Sequence, residues 1–339
     1  MKVDANLLIG LADVASKVRE VEAAGYAGVW TAEMAHDPFL PLLLAAQNSS
    51  ELDIGTSIAV AFARNPMTVA NTAWDLQAYS QGRFVLGLGS QIRPHITKRF
   101  SMEWSQPVPR MREFVLAVRA VWNTWLTGEK LDFRGDFYTH TVMTPYFTPD
   151  KSDLDGLEPP RVFLAGVGEQ MTEVAGEVAD GFISHGFTTE RYMREVSIPA
   201  LERGRAKAGQ PMEGFEIGGP MFVVTGSDDE EIEAAAKTTR QTIAFYASTP
   251  SYIKVLDLHG WGGIHEELNA MSKRGQWDEM GARIDDEMLN TFAVVGEPDE
   301  VAPELLRRYG DVVDRLSFYA PDAGDLARWA SVMAGLTKP

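Results

Sequence analysis

The chain has 339 residues, of which 45% are hydrophobic, and it carries a formal net charge of -17 at pH 7 and no cysteine. The lack of cysteine excludes disulfides, thiolate metal ligands and cysteine nucleophiles. The acidic charge, with no run of Lys and Arg, argues against nucleic acid or an anionic membrane surface as a partner. No apolar run is long enough to span a membrane, and Asp4 interrupts the segment where a signal peptide would be apolar. We therefore expect a cytoplasmic protein whose partner is a small molecule.

Strand-like and helix-like segments alternate through the first part of the chain. Apolar residues alternate with polar ones in the strands and recur every three or four positions in the helices. Gly25 closes the first helix, and Asn65 followed by Pro66 opens the third. The predicted strands are 3–9, 26–33, 51–62 and 83–88, and the predicted helices after them are 11–25, 37–49, 66–78 and 109–128.

The alternation is interrupted once and then resumes. Residues 131–146 form two aromatic runs around Arg134-Gly135-Asp136, which predict a hairpin, and a polar loop follows. Residues 250–286 are polar and predict helices without strands, and Pro199 predicts a bend in the sixth helix. The later predicted strands are 161–168, 181–187, 215–226 and 312–321, and the later predicted helices are 169–181, 188–209, 227–248, 297–310 and 322–335.

Eight strands with their helices, in a chain of this length, predict one α/β domain over residues 1–339, a (β/α)8 TIM barrel. Its insertions are expected at about 129–160, after the fourth helix, and at 250–286, after the seventh unit. A doubly wound sheet is the alternative, and it requires a G-x-G-x-x-G turn that leads directly into a helix. Here Ile92 occupies the third glycine position after Gly87 and Gly89, and Pro94 interrupts the helix.

Chemistry in a TIM barrel takes place at the carboxyl ends of the strands. In this chain Glu33, Met34 and His36 follow the second strand, and glycine-rich turns follow the fourth and fifth. The turn Gly166–Gly168 directly precedes a predicted helix, so its backbone N–H groups could hold a phosphate.

Four motifs, in this order and spacing, resemble the luciferase-like flavin and deazaflavin oxidoreductases, and more narrowly their coenzyme F420-dependent branch. The motifs are GTSIAVAFARNP, GRFVLGLGS, DFRGDFY and RVFLAGVGEQMTEVAGEVADGFI. The resemblance implies hydride transfer between F420 and a small substrate, and a homodimer. It also implies a cis peptide bond between Ser57 and Ile58 behind the deazaflavin ring, and a phosphate-bearing tail at Ala165–Gly168.

The resemblance further implies the residues of the site. The cofactor-binding residues are expected to be Glu33, Met34, Ser57, Ile58, Ala59, Gly89, Ser90, Gln91, Ala165, Gly166, Val167, Gly168, Ser184 and His185. Apolar and aromatic side chains near the expected mouth suggest a hydrophobic or aromatic substrate. The substrate-contacting candidates are Trp30, Phe39, Phe62, His95 and Tyr246.

Glu33 and His36 are the candidate proton-transfer residues, since a general acid or base must lie close to the reacting group. Sugar-phosphate dehydrogenases of the resembling family have a histidine where this chain has Met34 and a glutamate where it has Ile92. The resemblance therefore does not extend to sugar-phosphate oxidation. We predict no metal site, because no two histidines are four residues apart.

Two other functions are compatible with the same motifs. One is an FMN-dependent luciferase-like monooxygenase, which would use oxygen and a reductase partner. The other is a non-catalytic flavin-binding relative that has kept the barrel. The sequence does not identify the substrate or the direction of hydride transfer.

Overall fold

The structure is a computed structural model that describes residues 1–154 and 156–337. Position 155 of the predicted first insertion and positions 338–339 of the predicted domain lie outside the described residues. The strands are β1 (Lys2–Asn6), β2 (Gly28–Thr31), β3 (Asp53–Thr56), β4 (Ala59–Val60), β5 (Phe84–Gly89), β6 (Phe133–Arg134), β7 (Thr139–His140), β8 (Arg161–Gly166), β9 (Gly181–Ser184), β10 (Glu216–Val224), β11 (Ala293–Val295) and β12 (Arg315–Tyr319).

The helices surround these strands. A π-helical turn, Met193–Ser197, joins α6 to α7 just before Pro199, where the sequence predicts a bend. None of the helices in the described ranges is long and apolar enough to cross a membrane. The helices are α1 (Val14–Ala23), α2 (Leu40–Asn48), α3 (Pro66–Tyr79), α4 (Pro107–Thr127), α5 (Glu169–Val178), α6 (Glu190–Tyr192), α7 (Ile198–Lys207), α8 (Asp229–Ala247), α9 (Ile253–Leu258), α10 (Gly262–Lys273), α11 (Trp277–Met280), α12 (Asp286–Phe292), α13 (Pro298–Tyr309) and α14 (Leu326–Leu336).

Eight parallel strands close into a barrel in the order β1, β2, β3, β5, β8, β9, β10, β12. The last strand pairs with the first, so that Leu316 lies opposite Val3. The predicted (β/α)8 TIM barrel is therefore confirmed. Closure leaves no unpaired strand edge in the barrel, and each strand is buried on both faces.

Successive side chains in each strand alternate between the interior of the barrel and the surrounding helices. In β12, Leu316 and Phe318 pack outward, whereas Arg315 and Ser317 line a small interior cavity. The inward side chains of four other strands form an apolar cluster across the barrel, which we call the floor. The floor consists of Trp30, Val85, Phe163 and Ile183.

Below the floor, the amino-terminal ends of the strands carry a buried ionic cluster. Arg315 donates to both carboxylate oxygens of Asp4, at 2.7 and 2.9 Å, and also to Asp53 at 3.0 Å and Glu216 at 3.2 Å. Burial by itself would raise the pKa of Glu216, but the hydrogen bond from Lys2 and the charge of Arg315 hold that pKa below its usual range. These charges satisfy one another at the closed end of the barrel.

The predicted third strand, 51–62, is not continuous. β3 ends at Thr56, and the chain re-enters the sheet as β4, where Ala59 pairs with Leu88 of β5.

The second helix also begins at Leu40 and not at Asp37. The Asp37 carboxylate accepts the N–H groups of Phe39 and Leu40, at 2.8 and 3.2 Å, and so forms a turn ahead of the helix.

The first predicted insertion contains a hairpin, β6–β7, that is much shorter than the aromatic runs suggested. Its turn is attached to α4, because the Glu113 carboxylate accepts N–H groups from Asp136, Phe137 and Tyr138 at 2.6 to 2.8 Å. The second insertion holds α9, α10 and α11 without a strand, as predicted.

Strand β11, which directly follows α12, was not predicted. It pairs in parallel with residues Phe222–Val224 of β10. Phe222 also pairs with Tyr319 of β12, so β11 lies on the opposite edge of β10 from β12. Three apolar residues were too short a run to distinguish from the end of the preceding helix.

Candidate active site

The carboxyl end of the barrel, which we call the mouth, differs between its two sides. On one side, β3, β5 and β8 end in small inward positions, namely Ser57, Gly89 and Ala165. Ser57 lines the interior cavity, Ala165 packs on the floor, and Gly89 follows Val85 on the inward side of β5. We call these three residues the bare rim. On the other side, the strand ends carry aromatic side chains.

The two glycines of β5 have different roles. A Cβ atom on Gly87 would lie 1.7 Å from the carbonyl oxygen of Thr56, so no side chain fits between β3 and β5 there. Thr56 also accepts the Gly87 N–H and donates to the Gly87 carbonyl, at 2.9 and 2.6 Å. A Cβ atom on Gly89 would lie 2.8 Å from Cγ1 of Ile58. Gly87 thus serves strand packing, and the missing side chain at Gly89 makes room for the Ile58 side chain.

The segment between β3 and β4 is attached to the end of β2. Its Ser57–Ile58 peptide bond is cis. The Ser57 N–H donates to the Thr31 carbonyl at 2.6 Å, and the Glu33 N–H donates to the Ile58 carbonyl at 3.1 Å. The Glu33 carboxylate then accepts the Val60 N–H at 2.7 Å. Glu33 therefore holds this segment from both its backbone and its side chain.

Arg64 is a site residue that the sequence reasoning missed. Its guanidinium bonds to the Glu33 carboxylate at 2.5 Å and reaches Asp37 at 3.3 Å, and the Glu33 side chain is only 8% exposed. The guanidinium also lies over the ring of Phe39. The sequence motif that could have identified Arg64 is FARNP, in which an arginine stands just before a helix. Such a cation can pair with Glu33, the acid at the end of the second strand. Glu33 is therefore ion-paired in this structure, and its catalytic role stays a prediction.

The other residues predicted after β2 and β5 lie toward solvent. Met34 and His36 are exposed, and the Arg99 guanidinium donates to the Met34 carbonyl. Gln91 has a left-handed φ of 59°, and its side chain accepts the Ile92 N–H at 3.0 Å. Ser90 and Gln91 are half-buried beside Gly89, whereas His95 is exposed in the π-helical turn that follows.

The turn after β8 has the features of an anion site. Gly168 precedes α5, and nothing lies within 4 Å of where its Cβ would be. The Tyr192 hydroxyl donates to the Val167 carbonyl at 3.0 Å and so fixes the turn. Glu169, the one acid in the first helical turn, is ion-paired with Arg203 at 2.5 Å. The free N–H groups of the helix start can therefore face a phosphate, which they favour.

Ser184 ends β9 beside this turn, and His185 follows it. The Ser184 hydroxyl is buried and has no hydrogen-bond partner within the described ranges. Burial lowers the pKa of His185 to about 4, so its imidazole is neutral at pH 7. Nδ1 of His185 accepts the Phe187 N–H at 2.9 Å, which leaves the proton on Nε2, 3.3 Å from the Tyr252 hydroxyl.

Tyrosines complete the aromatic side of the mouth. The hydroxyls of Tyr246 and Tyr319 are 2.6 Å apart, and the ring of Tyr246 meets His185 edge-on at 4.6 Å. Sequence reasoning selected Tyr246 but missed Tyr252 and Tyr319. A signal for Tyr319 was available in the sequence, because this residue lies near the carboxyl end of the predicted eighth strand.

The structure does not bring all predicted substrate residues to the mouth. Phe62 is 0% exposed, packs against Trp104 and lies under Arg110, so it offers no surface to a ligand. Phe39 is also buried, beneath Arg64. Trp30 belongs to the floor, which places it below the mouth and not on its wall. The corrections for Phe62 and Phe39 have the same cause, since aromatic residues in strand-to-helix segments can complete the core.

Comparison with known proteins agrees with this architecture. A family model described as luciferase-like monooxygenase matches residues 4–315. An uncharacterized protein of Mycobacterium tuberculosis is 56% identical over 316 residues, which cover 93% of this chain and 92% of that protein. The F420-dependent glucose-6-phosphate dehydrogenase of Intrasporangium calvum is 28% identical over 91% of this chain and 87% of its own.

Among solved structures, the coenzyme F420-dependent tetrahydromethanopterin reductase of Methanopyrus kandleri superposes with a TM-score of 0.77. Its sequence is 18% identical, and the match covers 99% of this chain and 96% of that one. At this identity the likeness supports the fold alone. The family match, which spans most of the barrel including the bare rim and the turn after β8, shows that this chain belongs to the luciferase-like monooxygenase family.

Proposed function

We propose that the protein is an F420-dependent oxidoreductase that transfers a hydride between the deazaflavin and a small, apolar organic substrate. The observation that carries this proposal is the bare rim, Ser57, Gly89 and Ala165, beside the open turn at Gly168. A flat ring can lie against main chain only where side chains are absent. The adjacent turn offers N–H groups to a phosphate on the same molecule.

The relatives support the same reading. Two of the similar proteins are F420-dependent by name, a glucose-6-phosphate dehydrogenase and a tetrahydromethanopterin reductase. We do not extend the sugar-phosphate substrate to this chain. The proton-transfer positions that the sugar-phosphate subgroup uses are Met34 and Ile92 here, and neither side chain can carry a proton.

When bound, F420 supplies a hydride donor or acceptor, and the protein supplies position and exclusion of water. The segment Ser57–Ile58, held by Glu33, would support the ring from behind. Gly89 to Gln91 would lie beside it, with Ala165–Gly168, Ser184 and His185 near the tail. The apolar floor lies beneath the site and would limit the access of water from that side.

Separate titrations with F420 and FMN, followed by tryptophan fluorescence, test the proposal. We expect F420 to bind at micromolar or lower concentration and more tightly than FMN, since Trp30 lies in the floor directly below the rim. In Gly89→Val the added side chain would meet Ile58 and fill the rim, so F420 should bind at least about tenfold more weakly. Gly263→Val is the matched control, because nothing lies within 4 Å of that Cβ position.

Other outcomes would identify the alternatives. Tighter binding of FMN would contradict the proposal and favour a monooxygenase that uses oxygen and a reductase partner. Equal affinity of the wild type and Gly89→Val for F420 would show that the rim is not the binding site. F420 binding with no change in cofactor absorbance for any substrate in a broad screen of alcohols and carbonyl compounds would favour a non-catalytic relative.

A further inference from the structure

The aromatic side of the mouth contains a pair of hydroxyls that the proposed cofactor site does not use. Tyr319 follows Arg315 and Ser317 on the inward side of β12, so its side chain points into the mouth. Its ring stacks on Phe222, with centroids 4.6 Å apart. A Cβ atom on Gly186 would lie 2.6 Å from this ring, so the glycine at that position lets the tyrosine take its place.

The second hydroxyl comes from α8. Tyr246, near the end of that helix, places its hydroxyl 2.6 Å from that of Tyr319. Within the described ranges neither hydroxyl has another hydrogen-bond partner. Two hydroxyls that share one hydrogen bond use only one of their two hydrogens, so one O–H group remains free to donate. A phenylalanine would fill the same space if packing were the only requirement.

The surroundings of the pair favour a neutral ligand. Burial, followed by the effects of Tyr319 and Tyr252, raises the pKa of Tyr246 well above its usual range, so negative charge is disfavoured there. Within the described ranges no Lys or Arg bonds to either hydroxyl or lies over either ring. An anion at this place would be buried without a counter-charge, which is costly, whereas a neutral oxygen needs only one donor.

We propose that the paired hydroxyls of Tyr246 and Tyr319 bind the oxygen of a neutral carbonyl compound or alcohol, whose apolar part lies against the rings of His185 and Phe222. The subsite faces the bare rim across the mouth, so a bound oxygen would be held opposite the proposed ring position. The interpretation of this site as a substrate subsite rests on the proposed oxidoreductase function. The binding itself does not require the cofactor and can be measured without it.

The test uses acetophenone labelled with 13C at the carbonyl, titrated into the protein with and without F420. We expect saturable binding and a downfield shift of the carbonyl carbon, because a donated hydrogen bond withdraws electron density from it. The double substitution Tyr246→Phe and Tyr319→Phe should abolish the shift and weaken binding about tenfold, which is about 1.4 kcal/mol. Each single substitution leaves one hydroxyl and should retain part of the shift.

Tyr79→Phe is the matched control, since Tyr79 is an exposed tyrosine on α3, and it should behave as the wild type. Benzoate should bind more weakly than acetophenone. Three results would overturn the proposal: no saturable binding by the wild type, an unchanged shift in the double variant, or tighter binding of benzoate. The benzoate comparison needs no variant, and circular dichroism checks that the double variant is folded.

F420 titrations of the same proteins separate this proposal from the previous one. If F420 fails to bind but the carbonyl shift depends on the two hydroxyls, the oxidoreductase function fails and the subsite stands. If F420 binds every variant equally and the double variant keeps the full shift, the subsite fails alone.

Discussion

At the scale of single residues, His185 shows how burial changes a side chain that ordinarily titrates near neutral pH. Its ring stacks on Tyr252 and meets Tyr246 edge-on, and its Nδ1 accepts a backbone hydrogen bond. Burial lowers the pKa from 6.5 to about 4. The neutral ring can therefore act at pH 7 as a hydrogen-bonding group and a packing surface but not as a cation for the phosphate tail.

This depressed pKa predicts a pH dependence of stability. Between pH 6.5 and 4 the unfolded chain binds a proton at His185 that the folded protein does not, so the free energy of unfolding falls as pH falls. From pH 7 to about pH 5 the loss from this group should be about 2 kcal/mol. His185→Asn keeps an acceptor for the Phe187 N–H and should remove this loss. Urea unfolding at both pH values measures it.

His36→Asn is the control, because His36 is a solvent-exposed histidine. If His185→Asn loses as much stability on acidification as the wild type, His185 is not held neutral by burial.

At the scale of elements, the contact between β3 and β5 determines the shape of the candidate site. The two strands approach so closely at Gly87 that the Thr56 carbonyl occupies the side-chain position, and beyond this point β3 leaves the sheet. The strand then resumes as β4, and Glu33 of the preceding segment holds the connection. A local sequence pattern could not specify this break, since 51–62 is uniformly strand-like.

Gly87→Ala tests this contact. The added methyl group would overlap the Thr56 carbonyl at 1.7 Å, so β3 and β5 must separate. We expect the free energy of unfolding to fall by at least about 2 kcal/mol, as for other overpacked cores. Urea denaturation at pH 7 provides the measurement, with Gly263→Ala as the control in open space. A loss no larger than that of the control would mean that the strands can move apart freely.

At the scale of the whole molecule, the barrel depends on contact between the two ends of the chain. β1 pairs with β12, and Arg315 of β12 bonds to Asp4 of β1 inside the barrel. The same guanidinium reaches Asp53 and Glu216, so one side chain joins four strands. Residues far apart in sequence thus close the amino-terminal end, while the carboxyl end stays open for ligands.

Arg315→Met should destabilise the whole barrel. The substitution keeps an apolar stem but leaves the buried carboxylate of Asp4 without its cation. Removing one partner of a buried pair costs about 3 to 5 kcal/mol. Chemical unfolding of the variant measures the difference. Arg283→Met is the control, because Arg283 pairs with Glu267 at the surface and that pair should contribute less than about 1 kcal/mol. Equal losses in the two variants would contradict a structural role for the buried cluster.

Assembly and location remain predictions. The homodimer is an expectation from the family resemblance, and the cytoplasmic location is an expectation from the composition. Sedimentation of the purified protein would show whether it is a homodimer.

The barrel could be predicted from the sequence, because eight strand–helix units fit a closed barrel and the G-x-G-x-x-G turn of a doubly wound sheet is missing after Gly87. The motifs also pointed to the family. The sequence also located the turn at Ala165–Gly168, since a glycine turn between a strand and a helix is a local pattern. Which polar and aromatic side chains meet could be seen only in the folded structure. The Glu33–Arg64 pair, the Tyr246–Tyr319 pair and the burial of Phe62 each join or enclose residues from different elements. Contacts of this kind depend on how strands and helices pack, and no local pattern encodes them.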